Sequence, residues 1–207
     1  GALVYHNTYG PNGNDYLQIV FKLADLPCDT ITGLYVDGVA VNLGGNFSDA
    51  NVSGNTVTQY PNVLWVKYHD GAYAQAVDAD LNSKSTGGEW STTFTGHGVC
   101  YTRFTAKYDP EKFKNGRPSF LTVFKGALLY DFRKDSTNGG SGAHRWGIAA
   151  TFEGTDNPAV ILYNYMRGLL VNGAKVGGMN VPSTSLPVTE WTAAANACDE
   201  LVAKKAG

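Results

Sequence analysis

Apolar residues come in short, strand-like runs over the first two thirds of the chain and move to helical spacing only towards its end. Tyr16 to Leu23 is a β-rich apolar run that stops near Pro27. Leu34-Tyr35-Val36, Asp37-Gly38 and Val39-Ala40-Val41 then follow in the order of a tight hairpin, because an Asp-Gly pair suits the positive φ angles of a type I′ turn. The stretch from Gly44 to Asn55 is rich in Gly, Asn and Ser and is expected to be an exposed loop. Strand character resumes at Val63 to Tyr68 and again at Val99 to Ala106. Between them Ala74, Val77 and Leu81 fall at helical spacing and predict a short helix over Ala72 to Leu81. Ser119 to Phe124 and Ala127 to Tyr130 flank Lys125-Gly126 and predict a second tight hairpin.

The pattern changes after that point. Residues 134 to 144 are polar and Gly-rich, which predicts a flexible excursion. Asn157-Pro158 opens a helix, since Asn is a good N-cap and Pro suits the first helical position. Val160 to Leu170 is apolar on nearly all sides, the pattern of a buried helix. A Gly/Pro-rich connector covers roughly 172 to 188, and a last helix starts near Thr189. Its Trp191, Ala194, Ala195, Cys198, Leu201 and Val202 form an apolar stripe, leaving Asp199, Glu200, Lys204 and Lys205 for solvent or a partner. The sum is an α+β domain. Residues 1–133 are read as a β-rich body with one short helix, 134–145 as a Gly-rich loop, and 146–207 as a helical portion packing on the body.

Composition narrows the function classes. With 207 residues, 43% hydrophobic and 16% charged, the chain is long enough and apolar enough for a proper core. Eighteen acids against sixteen bases leave a net charge of −2, so the basic surplus of a nucleic-acid binder is missing. No stretch reaches the length of a membrane span, and no basic-then-apolar leader opens the chain. Gly1 in place of Met is expected of a segment excised from a longer polypeptide. Cys28, Cys100 and Cys198 are far apart and odd in number, which signals neither a disulfide framework nor a thiolate zinc site. Cys100 and Cys198 read as small core residues. The sequons at Asn46 and Asn51 carry no weight without a secretory signal.

Candidate chemistry is sparse. Gly139-Gly140-Ser141-Gly142 lacks the Lys-Ser/Thr ending and the following helix of a phosphate loop. His97 and Cys100 are close in sequence, but residues three apart on a strand point to opposite faces. His6, His69, His97 and His144 are scattered, and Asp78 with Asp80 does not match a calcium loop. Asp109, Glu111, Asp131, Asp135, Glu153 and Asp156 are carboxylates of the type a glycosidase needs, but no pairing marks them out and they read as solvated turn and cap carboxylates. Twelve Tyr, nine Phe and four Trp suit a sugar-binding face, a β-rich core or a subunit interface.

The run from Gly96 to Leu170 carries a resemblance. It contains Phe113, Gly116 and Pro118 in an F-x-x-G-x-P element, then Tyr130-Asp131-Phe132-Arg133, a Gly-rich loop, Trp146 and Asn157-Pro158-Ala159. Upstream stand the apolar strand and hairpin of Tyr16 to Val41, and His69-Asp70-Gly71 with Gln75 and Leu81. Downstream, Trp191, Ala195, Cys198, Asp199, Glu200 and Val202 lie on the last helix. In this order the motifs resemble the tail-tip attachment protein family of lambda-like phages and related tail proteins. The family pattern has Pro where this chain has Phe132 and Ser where it has Gly147, as expected of a divergent member.

The resemblance implies a virion structural part and no enzyme, with no catalytic or metal-binding residue and no cofactor. It implies a hub domain of the distal tail, folded in the bacterial cytoplasm. Its partners would be copies of itself in a homotrimer, other tail-tip proteins and the tape-measure protein, with neither nucleic acid nor a membrane span. Asp131 and Arg133 are expected to pair, and Trp146 to fill the gap between the sheet and the Pro158 helix. The alternatives are a carbohydrate-binding module of a phage or bacterial surface protein and a cell-wall hydrolase domain.

Overall fold

The computed structural model describes residues 1–200. The fold is α+β, with thirteen strands in antiparallel sheets and three α-helices among the described residues. It divides into two compact units, Gly1–Lys125 and a second that begins at Gly126.

Unit 1 carries nine strands: β1 (Ala2–Tyr9), β2 (Tyr16–Ala24), β3 (Ile31–Val36), β4 (Val39–Val41), β5 (Leu43–Ser48), β6 (Ser53–Val57), β7 (Leu64–His69), β8 (Cys100–Lys107) and β9 (Phe120–Phe124). Its helix is α1 (Ala79–Lys84). Six strands form one sheet in the order β1-β2-β8-β7-β6-β5, and three form another in the order β4-β3-β9. The hairpin at Asp37-Gly38 forms as its chemistry requires, with φ of 49° and 78° and Val36 opposite Val39. The two sheets face each other across Leu34, Val36, Val57, Leu64, Val66 and Phe104, with Phe104 stacked on Phe120 at 4.0 Å. Burying each large apolar side chain there contributes roughly 1.5–3 kcal/mol.

Strand alternation sends the other face of β8 to a different fate. Tyr101, Arg103 and Thr105 point away from the sandwich and share their face with Gln18 and Val20 of β2 and Trp65 and His69 of β7. That face is covered in part by α1, whose Leu81 packs with Val20 and Tyr101.

Three expectations for unit 1 are corrected. The helix placed over Ala72 to Leu81 starts at Ala79, because Asp78 caps it by accepting from Asp80 N and Leu81 N. Ahead of it, the Gln75 side chain binds Gly71 N, Thr95 O and Gly96 O and so holds an irregular segment. The stretch 44–55 is the β5–β6 hairpin, closed by Asp49 Oδ1 accepting from Asn51 N and Val52 N. The Lys125-Gly126 hairpin does not form. β9 pairs with β3, and Lys125 N extends that ladder to Thr30 O, so the chain runs on instead of turning back.

Unit 2 contains β10 (Leu128–Leu129), β11 (Glu153–Gly154), α2 (Pro158–Arg167), β12 (Leu169–Val171), β13 (Ala174–Gly177) and α3 (Val188–Asp199). Its core is aromatic: Tyr130, Phe132 and Tyr163 are fully buried together with Val160, Leu186 and Ala195. α2 ends at Arg167, before Gly168 at φ 121°, and it is not buried on all sides: Ile161, Leu162 and Tyr165 are exposed. The connector 172–188 contains the β12–β13 hairpin around Asn172-Gly173, with φ of 48° and 76°. The Gly-rich loop is no free excursion, since Asp135 pairs with Ala143 and Gly140 N and Ser141 N bond to Asp135 O and Arg133 O. On α3 the inward line runs through Val188, Trp191 and Ala195, which turns Cys198 outward: it is exposed, not a core residue. Leu201, Val202, Lys204 and Lys205 lie outside the described residues.

Candidate functional site

Nine of the twelve motif residues fall in unit 2, and most of them interlock. Asp131 opens a short turn by accepting from Arg133 N at 3.0 Å. The Arg133 guanidinium returns to the same carboxylate through Nε to Oδ1 at 3.0 Å and Nη2 to Oδ2 at 2.8 Å. Its Nη1 reaches Asp199 Oδ2 at 2.6 Å and Asn196 Oδ1 at 3.1 Å on α3. The Asp131 and Asp199 carboxylates raise the Arg133 pKa further. The bonds from Arg133 and Asn157 in turn lower that of Asp199. Asn157 closes the circuit: its Oδ1 caps α2 at Ala159 N and Val160 N, and its Nδ2 donates to Ala195 O and Asp199 Oδ1. Pro158 occupies the first turn, where its missing N–H costs nothing.

A second tie holds Tyr130. The Asn164 amide accepts from Tyr130 N at 3.1 Å and donates to Tyr130 O at 2.8 Å, mimicking a strand partner. Trp146 meets the Tyr130 ring edge-on at 5.4 Å and lies under the Arg167 guanidinium at 3.9 Å, between Tyr130 and α2. Trp191 meets Tyr163 edge-on at 5.5 Å. The two departures from the motif pattern have physical reasons. Phe132 is fully buried against Tyr163 at 4.6 Å, and Gly147 sits at φ 87°, where a Ser would be strained.

Beside this cluster a cavity of about 550 Å³ is lined by Asp135, Arg145, Trp146, Arg167, Ser183 and Thr184, among others. Asp135 is almost fully buried and accepts from Tyr130 Oη, Thr137 N, Thr137 Oγ1 and Arg145 Nη1. Burial alone would raise its pKa. The Thr137 and Tyr130 bonds outweigh that and hold it below the ordinary value.

Phe113, Gly116 and Pro118 belong to unit 1, where they line a cavity of about 460 Å³ with Lys107 and Arg117. Phe113 stacks on Tyr60 at 5.5 Å, and Gly116 turns the chain at φ 85°. Sequence reasoning missed the most buried charge cluster of that unit. Arg103 is 1% exposed, with Nε 2.9 Å from Asp78 Oδ2, Nη1 3.1 Å from Asp80 Oδ2 and Nη2 3.1 Å from Ser53 O. His69 Nε2 shares Asp78 Oδ2 at 2.8 Å while its ring stacks on Tyr101. Burial penalises the Asp78 charge, but the His69 bond and the Arg103 charge prevail and push its pKa far down. One signal was available: a lone Arg amid apolar residues in a strand needs a buried acid.

Most of the candidate reactive groups are engaged elsewhere, while the side chains of His6, Glu111 and Asp156 make no hydrogen bond or ion pair among the described residues. His97 Nε2 bonds Gln75 O at 3.0 Å, and Cys100 Sγ lies 3.3 Å from Tyr68 Oη, so the two do not pair. Asp109 caps Glu111 N and Lys112 N, and Glu153 pairs with Lys134. Among the described residues no group of three or more His, Cys, Asp or Glu side chains is placed to hold a metal. No helix among them is long and apolar enough to cross a membrane. Neither family models nor curated proteins provide a match to this chain.

Proposed function

We propose that this chain is a structural part of a phage tail tip, a baseplate-hub domain that helps close the tail tube and connect it to host-recognition parts. The reading rests on the ordered motifs of the sequence. One observation carries it further: Asp131, Arg133, Asn157 and Asp199 satisfy one another through bonds between residues 2, 42 and 66 apart in sequence. Side chains consumed in mutual bonds hold a shape, whereas a catalyst keeps a nucleophile or acid free for substrate. In this reading the partners are copies of the chain arranged as a trimer, other tail-tip proteins and the tape-measure protein, in the distal tail of the virion.

Immunogold electron microscopy tests the proposal, with antibody raised against the purified chain and applied to particles from a lysate of the source host. Label at the distal ends of tails supports it. Label confined to cell surfaces or soluble material, with bare tails, refutes it and favours a surface carbohydrate-binding module instead.

A further inference from the structure

Among the described residues of unit 2, two cations have no carboxylate partner: Lys175, which is exposed on β13 and bonds Asn180, and Arg167, which is not exposed. Arg133 is paired with Asp131 and Asp199, and Arg145 with Asp135. Arg167, in the last turn of α2, has no carboxylate partner among the described residues. Its guanidinium is nonetheless fixed, lying 3.9 Å from the Trp146 ring centre, 5.6 Å from Tyr130 and 5.9 Å from Tyr163. Its one hydrogen bond runs from Nη1 to Tyr163 Oη at 3.3 Å, which leaves most of the donors of the planar fork unspent.

That fork borders the cavity of about 550 Å³, within the size range of small-molecule sites. The acid on its wall, Asp135, is already taken by Arg145, Tyr130 and Thr137, so the lining carries an excess positive charge. Ser183 and Thr184, both exposed residues that can donate and accept hydrogen bonds, line the same cavity. A guanidinium held in place by aromatic rings has little freedom left to lose on binding, and its geometry matches a carboxylate or a phosphate in two parallel bonds.

We infer that this cavity is an oxyanion site, in which Arg167 anchors the carboxylate or phosphate group of a small hydroxylated molecule and the Ser183 and Thr184 hydroxyls receive its polar body. The inference is independent of the tail-tip reading. The neutral alternative is that Arg167 serves only to cover Trp146 and to complement the C-terminal end of the α2 dipole.

The test is an NMR titration of the whole chain, following the Arg167 Nε–Hε signal and the backbone amides. Glucose 6-phosphate and glucuronate are the two anionic probes, with glucose and sodium chloride as controls. The site predicts a saturable downfield shift of Arg167 Hε with at least one acid. Amide shifts should gather at residues 145–146, 167 and 183–184, with none from glucose or chloride. Whichever acid binds more tightly tells a phosphate from a carboxylate ligand. Arg167→Gln should weaken binding by about 10- to 100-fold, and Arg167→Lys should weaken it less. Unmoved Arg167 signals, shifts scattered over surface lysines, or equal binding by a folded Arg167→Gln protein would each overturn the site. The wild-type titration decides the matter even if the variant fails to fold.

Discussion

Removing Asp78 tests how much of unit 1 depends on its buried charges. The carboxylate accepts four bonds, from Asp80 N, Leu81 N, His69 Nε2 and Arg103 Nε, and it is 0% exposed. Asp78→Ala leaves Arg103 sealed in the interior with Asp80 as its one remaining carboxylate. Breaking a buried ion pair from one side costs about 3–5 kcal/mol, because the other charge stays desolvated. Loss of the α1 cap adds about 1 kcal/mol. Against a total stability of order 5–15 kcal/mol, a loss of about 4–6 brings this unit close to unfolding. Hydrogen exchange of the β7 and β8 amides reads unit 1 by itself. Those amides should lose protection by that amount, while β10 and α2 keep theirs. The double variant Asp78→Ala/Arg103→Met removes both charges and should recover at least about 2 kcal/mol of the loss. A cost below about 1 kcal/mol for Asp78→Ala, or strictly additive effects in the double variant, would show that the network is water-relaxed and refute the reasoning.

Acid should expose the same dependence. The folded pKa of Asp78 lies below its unfolded value of about 3.9, so its contribution is present above about pH 4 and drains away as pH falls further. Urea melts at pH 5, 4 and 3 should therefore show a steeper decline for the wild type than for Asp78→Asn. Asn157→Ala removes the α2 cap and two bonds to α3, and should cost unit 2 about 2–3 kcal/mol by denaturant melt. Asn157→Asp keeps the cap but sets a second carboxylate against Asp199 and Ala195 O, so it should rescue only part of that loss. Of the three cysteines, Cys198 is exposed and Cys28 and Cys100 are buried, so a thiol reagent such as DTNB should titrate one thiol quickly in the native protein and three in denaturant.

What could be read from the sequence was chiefly what neighbours in sequence decide. Asp37-Gly38 announces its turn because two adjacent residues supply the required φ angles, and Asn157-Pro158 announces α2 by the same locality. Asn172-Gly173 carries an equally local signal, which the surrounding glycines masked. Lys125-Gly126 misled because β9 gains more from a partner some ninety residues earlier, β3, than from folding back on the segment that follows. The Asp78 and Arg103 pairing spans 25 residues and depends on which face of β8 meets α1, a choice that no periodicity states. Cys198 shows the limit on a helix: α3 offers several small residues, and docking through Trp191 and Ala195 decides which of them turn outward.

Among the described residues each sheet lies within a single unit, and the sandwich of unit 1 is closed by β9, the last strand before Gly126. In terms of synthesis, the ribosome has therefore delivered the complete set of strands for unit 1 before the first residue of unit 2 is added. Unit 1 can settle during translation, while unit 2 must wait for α3, because Arg133 and Asn157 find their Asp199 partner only at the end of that helix.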